Sequence, residues 1–531
     1  MSILCTASEV KYSHKFIFSA LISAFLCAVP FTCPSLFFAA WLGIAPFFKV
    51  LLSHDFFSLN KKRAFCAGFG YGFFYCAFIY YWFIWLYPLD FAGLTPLMAV
   101  AVIAVAWIGI SAFQAVGFGL GTLLFRVIGK QSPFLLATIF TLCEFSWHFG
   151  ALAMPWCKIG ITQYRFLPFI QSSALFGSLF VSFIIYFVSA LFVCGKRDKR
   201  CYVLAAAVFF SNILYGTIIM NVPVNYTGKA EFSLIQGNIA SGEKWSNSAS
   251  ESFKLFRSLS HETSEEHSPD IIVWPESAVP VYINGPFENG FKNIATDTGS
   301  IFITGAFGVQ DGKTSNSVFM IDPDGNINDT FYSKRHLVPF GEYLPARGFF
   351  ETFLPFVADI NMLSDDLYVG KGSGIFSTPY GNTGALVCFD SIFPSLASKS
   401  VRDGAQLIVL VTNDSWYFTS PAVHQHAAQA VFRAVENRRS VARCANTGIS
   451  MLIDPHGRII SSLGAMQKGI VNGSLGFTDT HTLYTCIGDI LVWLGAAYVI
   501  KCIMQNAKCR IKEIIKNNNN RKEYKKWSSK E

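Results

Sequence analysis

Charged residues are scarce in this chain of 531 residues: Lys, Arg, Asp and Glu make up 14% of it, against 52% hydrophobic residues. An ordinary soluble domain carries about 25% charged side chains, so the composition excludes a soluble globular protein and points to a membrane protein. Neither a Walker loop nor a G-x-G-x-x-G fingerprint occurs, which removes the usual cradles for a nucleotide. No C-x-x-C pair occurs among the fourteen cysteines, and His424 and His426 stand too isolated to read as metal ligands; neither a metal nor another cofactor is implied. Cysteine is also thin in water-facing sequence. Twelve of the fourteen lie in or beside apolar runs or the basic tail, where the thiol behaves as a small hydrophobe, and only Cys388 and Cys444 lie between residues 221 and 481.

Long apolar sequence is abundant. A bilayer crossing needs about 20 apolar residues, and runs near 16–32, 35–52, 64–86, 95–125, 133–150, 172–194 and 202–220 are followed by a last one near 483–504. They predict a polytopic α-helical membrane domain of about eight transmembrane helices: seven in an N-terminal domain, 1–220, and one in a C-terminal segment, 482–531. Lys11 and Lys15 before a short apolar core also suit a cleaved signal peptide, but no small-x-small site followed by polar sequence succeeds it, which favours retention of the first span. Lys and Arg collect in cytoplasmic loops. Lys61, Lys62 and Arg63, then Arg126 and Lys130, then Lys196, Arg197, Lys199 and Arg200 all fall in loops on one side of such a bundle. Both termini are then cytoplasmic and the segment 221–481 lies outside. The tail from Lys501 to Glu531 holds ten Lys/Arg against three Asp/Glu, a net +7 of the chain's formal +8. The basic balance is therefore a topology anchor touching anionic lipid, not a nucleic-acid surface; Asn517–Asn520 within it read as disordered.

Between 221 and 481 short β-rich runs alternate with turns and helical stretches. Strands are expected at 231–236, 270–274, 301–307, 317–322, 384–389, 407–412 and 449–454, and helices at 246–260 and 422–439. This alternation argues a layered α/β domain, whose active side chains belong at the carboxyl ends of strands. Glu276 in DIIVWPES (270–277), Cys388 in GALVCFDSIFP (384–394), and Asn413 and Asp414 after 407–412 meet that condition; Lys334 and Glu342 lie in FYSKRHLVPFGEY (331–343).

The Glu/Lys/Cys order of these motifs resembles the nitrilase superfamily. The surrounding residues narrow the resemblance to the apolipoprotein N-acyltransferases, the membrane enzymes that add the third acyl chain to bacterial lipoproteins. It covers nearly the whole chain, including PWCKIG (155–160) and the block 411–450 with Arg433, Glu436 and Asn446-Thr447-Gly448. It implies a four-layer α-β-β-α sandwich for 221–481, displayed in the periplasm from the bacterial inner membrane. It also implies a phospholipid acyl donor such as phosphatidylethanolamine and a diacylglyceryl-lipoprotein acceptor. Cys388 would attack the donor ester to give a thioester, which the acceptor's α-amine then opens.

A thiol is a weak nucleophile until ionised. Glu276 can take its proton and later that of the amine, Lys334 can supply positive charge for thiolate and oxyanion, and the Phe389 N–H would complete the oxyanion hole. Each such residue alone is usually structural; the combination of motifs carries the assignment. Glu342 is expected to support Lys334, with His336 a structural histidine, and Trp245 matches an aromatic on a loop over the site. Where the family commonly has Glu after Cys-Tyr/Phe, this chain has Asp390, one methylene shorter, which leaves its hydrogen-bond geometry open. The segment 348–370 is apolar enough to be core or to dip into lipid. Glu144 either pairs with His148, marks lipid access, or makes a structural bond between helices.

Three alternatives compete with this reading. A Cys388–Cys444 disulfide is the bland use of two external cysteines. A membrane-tethered nitrilase-type amidase would use the same residues with water as acceptor. A transporter or receptor with an external binding domain would need no such triad, and the spans lack repeats or paired broken helices.

Overall fold

The apolar runs fold as helices in the computed structural model of the chain, which describes residues 7–89, 93–240, 249–353 and 365–528. Among the described residues four helices are long and apolar enough to cross a bilayer: Lys61–Leu86, Pro96–Ile128, Arg200–Met220 and Ile490–Lys516. A fifth crossing exists only if the bent pair Leu167–Phe176 and Ser178–Cys194 is taken as one. The expectation of about eight spans is therefore wrong. Hydropathy measures how apolar a run is, not how far it reaches along one axis. The 133–150 run yields a helix of 14 residues, Pro133–Ser146, about 21 Å long at 1.5 Å per residue against a hydrocarbon core of about 30 Å. The 16–32 run lies in the helix Ala7–Thr32, whose apolar part is only Phe16–Thr32, and the 35–52 run gives the short pieces Ala39–Gly43 and Ala45–Leu51. The 172–194 run breaks at Gly177, where φ is +79°, and turns by 118°. The chain is a multi-pass membrane protein with several helices that do not span.

Polar side chains pin this bundle internally, as lipid demands. Thr122 Oγ1 donates to Ala64 O at 2.8 Å between the Lys61–Ile79 and Pro96–Ile128 helices. Glu144 accepts from Tyr186 OH at 2.7 Å and from the Ile159 N–H at 2.8 Å, while the His148 ring contacts Phe145 O; of the three readings of Glu144 the bond between helices is the one found. The C-terminal helix, Ile490–Ser528, runs through Asn517–Asn520, so that stretch is helical rather than disordered, carried by the helix-forming Lys, Arg and Glu around it.

The segment after residue 221 forms two six-stranded sheets. One has the order β12-β1-β2-β3-β4-β5 and the other β11-β10-β9-β8-β7-β6. The strands are β1 Gly228–Gln236, β2 Ile271–Val273, β3 Ile301–Gln310, β4 Lys313–Ile321, β5 Tyr332–Ser333, β6 Phe376–Thr378, β7 Gly381–Val387, β8 Leu407–Thr412, β9 Ser440–Ala445, β10 Ser450–Ile453, β11 Ile459–Leu463 and β12 Gly469–Phe477. Side-chain alternation sorts the layers. Ile271 and Val273 face inward onto a core shared with Val387 and Val411 of the second sheet, while Ile272 and Trp274 face outward onto Phe256 and Phe291 of the helices Ala249–His267 and Glu288–Thr298. With Pro394–Arg402 and Ala422–Asn437 on the other side, the result is an α-β-β-α sandwich.

The Ala422–Asn437 helix joins sandwich to bundle, which explains why every residue of it except His424 is buried. Gln425 accepts from Trp156 Nε1 at 2.7 Å and donates to Phe31 O at 3.3 Å. Glu436 accepts from the Ser178 N–H at 2.9 Å. Cys388 and Cys444 are both free thiols, and Cys444 points between the sheets at Val273 O, 3.2 Å away. The disulfide alternative is excluded.

Candidate active site

Glu276 follows β2 and Lys334 follows β5, so two strand ends of one sheet deliver an acid and an amine to the same place. Lys334 Nζ donates to Glu276 Oε1 at 3.1 Å and to Glu342 Oε1 at 2.8 Å, with the lysine side chain 1% exposed. Burial opposes the ammonium, but Glu276 and Glu342 outweigh it and hold Lys334 well above the ordinary lysine range. Lys334 is a fixed cation at any working pH. Glu342 is anchored through Oε2 to the Val338 N–H at 2.9 Å, and Glu276 Oε2 accepts the Asn413 N–H at 2.8 Å from the end of β8. The chain can pass this closely because β3 offers Gly305 opposite Glu276: a Cβ there would stand 2.7 Å from the Glu276 Cα and 2.8 Å from Pro275 O.

Asn316 is the residue that sequence reasoning missed here. Its Nδ2 donates to Glu276 Oε1 at 2.7 Å and to Glu342 Oε1 at 3.2 Å, keeping the two carboxylates at fixed separation around the lysine. The available signal was a polar run, Lys313 to Ser317, in the first half of a strand in which Ser315, Asn316 and Ser317 are buried.

Cys388 stands where β7 ends, with φ +49°. A non-glycine residue held there costs roughly 1–3 kcal/mol, and such strain clusters at functional turns. The chain then enters the tight turn Cys388–Ile392. The thiol is pushed up from its ordinary value, first by burial and then by the negative charge of Glu276, with Lys334 acting the other way. It rests as a protonated thiol, not a thiolate. The Cys388 carbonyl accepts from Ser391 Oγ at 2.8 Å.

Asp390 resolves the question left by its shorter side chain. Its carboxylate accepts the His336 N–H at 2.8 Å, the Arg335 N–H at 3.2 Å and Tyr332 OH at 2.8 Å, so it straps the turn carrying the thiol to the loop carrying Lys334. Burial raises it to about 6 despite those donors. The His336 ring stacks on Phe393 at 3.7 Å and is driven down to about 4 by burial and Arg335. Phe389 packs edge-on against Phe393, and Trp245 lies outside the described residues.

A second polar cluster lies under the thiol turn. Cys388, Asp414 and His426 bring their side chains within 4.8 Å of one another, a proximity that the two isolated-looking histidines gave no hint of. The donor atoms are already engaged among themselves. His426 Nδ1 lies 2.8 Å from Asp414 Oδ1, and Arg443 Nη2 donates to Asp414 Oδ2 at 2.8 Å. Nε2 faces Ser391 Oγ at 3.0 Å and Cys388 O at 3.2 Å. The Arg443 charge holds Asp414 well below the carboxylate range despite its burial, and its place beside the cluster opposes a cation there. The Trp156 ring, from the bundle, stacks on His426 at 5.5 Å. From the same helix, Arg433 ties Ser391 O at 2.8 Å to Glu436 at 2.7 Å.

Beside Phe389 and His336 opens a cleft of about 500 Å³ that reaches Gly150 and Ala153, just past the apolar helix Pro133–Ser146. Tyr343 OH donates to Ala151 O across this junction.

Two family models match successive parts of the chain. Residues 23–191 match the apolipoprotein N-acyltransferase N-terminal domain, and residues 232–482 match the carbon-nitrogen hydrolase family. An apolipoprotein N-acyltransferase of Geobacter metallireducens is 32% identical over 90% of this chain and 94% of its own length. One of Bradyrhizobium diazoefficiens is 30% identical over 75% and 77%. The crystal structure of Saccharomyces cerevisiae Nit3, a member of branch 10 of the nitrilase superfamily, is similar over 48% of this chain and 93% of that one, with 21% identity and a TM-score of 0.37. The chain belongs to the apolipoprotein N-acyltransferase family and is a nitrilase-superfamily acyltransferase of lipoprotein modification.

Proposed function

We propose that the chain moves an acyl group from a phospholipid, such as phosphatidylethanolamine, to the α-amine of a diacylglyceryl-cysteine lipoprotein through a thioester on Cys388. Glu276 takes the thiol proton as Cys388 Sγ bonds to the ester carbonyl carbon. The tetrahedral oxyanion is balanced by the Lys334 cation and the Phe389 N–H. When the ester C–O bond breaks, the glycerol oxygen leaves with the proton held by Glu276, as a lysophospholipid. The incoming neutral amine then bonds to the thioester carbon, Glu276 takes an amine proton, and the C–S bond breaks as Glu276 passes that proton to the sulfur, restoring the thiol and the carboxylate. Glu342 and Asn316 position Lys334 and Glu276; Asp390 positions Cys388 against them.

The observation that carries this reading is the buried Glu276–Lys334–Glu342 cluster, with the lysine bonded to both carboxylates, beside a thiol that is neutral at rest. A neutral thiol needs a base at the moment of attack, and Glu276 is the carboxylate whose charge acts most strongly on it. On this reading the domain 221–481 is periplasmic and both termini are cytoplasmic, in a bacterial inner membrane. The test is the mass of the intact chain after incubation with phosphatidylethanolamine. An acyl-sized increment is expected in the unaltered chain and in Cys444→Ala, and none in Cys388→Ala; an increment persisting on Cys388→Ala overturns the assignment.

A further inference from the structure

The transfer reading poses a recognition problem. Donor and acceptor both present a diacylglyceryl group, so a site that recognised acyl chains alone would let Cys388 attack the acceptor's own esters. They differ in one formal charge near the scissile bond: the donor carries a phosphodiester anion, and a diacylglyceryl-cysteine does not.

The cleft beside the nucleophile has the matching charge. Among the described residues its ionic lining consists of Lys313, Arg335 and Lys371 against one acid, Asp366. Asp366 is ion-paired with Arg347, accepts the Leu344 N–H at 3.0 Å and also feels the Lys313 charge, so this one acid is shared among several cations and does not balance all three. Arg335 spends its backbone N–H on Asp390, and its guanidinium has no hydrogen bond or ion pair among the described residues. Lys371 stands 3.9 Å from Asp311 with both side chains more than 70% exposed, a solvated pair worth little, and lies over the Tyr368 ring. Lys313 is exposed at the start of β4. The position suits a lipid phosphate too. The cleft meets the bundle at Gly150 and Ala153, in the stretch that follows the apolar Pro133–Ser146 helix, so it opens where the sandwich joins the membrane helices.

We infer that Lys313, Arg335 and Lys371 form the subsite for the phosphodiester of the acyl donor, so that the charge of the leaving group selects which diacylglyceryl lipid acylates Cys388. The subsite rests on the transfer reading and adds donor selection to it. A planar guanidinium suits bidentate contact with phosphate oxygens, and the two ammonium groups add point charges that tolerate different headgroups. After acyl transfer the lysophospholipid keeps the phosphate, so this subsite also holds the first product.

The experiment compares two donors with the same acyl chains, phosphatidylethanolamine and uncharged diacylglycerol, on the full chain in proteoliposomes, reading the single-turnover rate of the acyl adduct by intact mass. The unaltered chain is expected to prefer the phospholipid by at least tenfold. That preference should fall at least tenfold in the double variant Lys313→Gln/Lys371→Gln, and further when Arg335→Gln is added. It should be unchanged in Lys399→Gln, which removes a lysine paired with Asp403 on the Pro394–Arg402 helix. Because both donors are read on one preparation, partial misfolding cancels from the ratio. A preference that survives both cleft variants overturns the subsite. So does inhibition by inorganic phosphate, against a chloride control, that the variants abolish while keeping their phospholipid preference: the cations then serve a free anion. Absence of any adduct from either donor in the unaltered chain overturns the transfer reading itself and the subsite with it.

Discussion

Replacing Glu276 by Gln keeps the shape of the site and removes the base, and the geometry sets how the loss depends on pH. A general base contributes about 10²–10⁴-fold, so thioester formation in Glu276→Gln should fall by that order at pH 7. Without a base the rate follows the fraction of thiolate. An ordinary thiol, near 8.5, would be rescued fully by mild alkali. Cys388 is not ordinary. Burial, the larger cause of its upward shift, remains when the Glu276 charge is removed, so the variant should still be climbing about tenfold per pH unit between pH 7 and 10, with no plateau near 8.5. The unaltered chain should be nearly flat over that range. Lys334→Met should show no rescue, because alkali cannot restore the lost positive charge, and the substitution removes the cation shared by Glu276 and Glu342, at a stability cost of about 3–5 kcal/mol. Single-turnover acylation by intact mass, at half-unit pH steps, measures all three. A plateau near the ordinary thiol value, or equal slopes in Glu276→Gln and Lys334→Met, refutes the division of labour between the two residues.

Gly305→Ala places a Cβ against the Pro275–Ser277 backbone, so acylation should fall by two orders of magnitude or more, with an overpacking cost of about 1–3 kcal/mol in thermal unfolding; near-normal acylation would show that the Glu276 loop is not held by this contact. Asp390 binds its proton more tightly folded, at about 6, than unfolded, near 3.9, so its contribution to stability grows as pH falls from about 6 to 4. Asp390→Asn should flatten that part of the pH–stability curve and lower acylation about tenfold or more by loosening the strap between the two loops; an unchanged curve refutes the shift. Reporter fusions after Lys62 and Lys199 should read cytoplasmic and one between residues 310 and 315 periplasmic, and a cytoplasmic signal from the last reverses the assigned orientation.

The sequence by itself placed Glu276 and Cys388 at strand ends, because strand periodicity and the residues flanking a strand are local properties; the two-residue strand before Lys334, Tyr332–Ser333, is too short to carry such a pattern. Leu407–Thr412 coincides with its expected range, and the α-β-β-α layering follows the family motifs. Reach and partnership are not local, and there the tertiary structure decided. Apolar runs of similar hydropathy became full-length helices, a 14-residue helix, and a pair bent at Gly177, since only packing settles whether a run extends along one axis. Asn316 and His426 have no motif of their own; each matters through partners, 40 and 26 residues away at Glu276 and Glu342, and 38 and 17 residues away at Cys388 and Arg443. Asp390 kept its strap although its side chain is shorter, because its turn lies where the backbone N–H groups of Arg335 and His336 reach the carboxylate. Burial finished the chemistry: the same cysteine and lysine in water would be an ordinary thiol and an ordinary amine, and it is the closed surroundings, with two carboxylates on one cation, that leave the thiol neutral and the lysine charged.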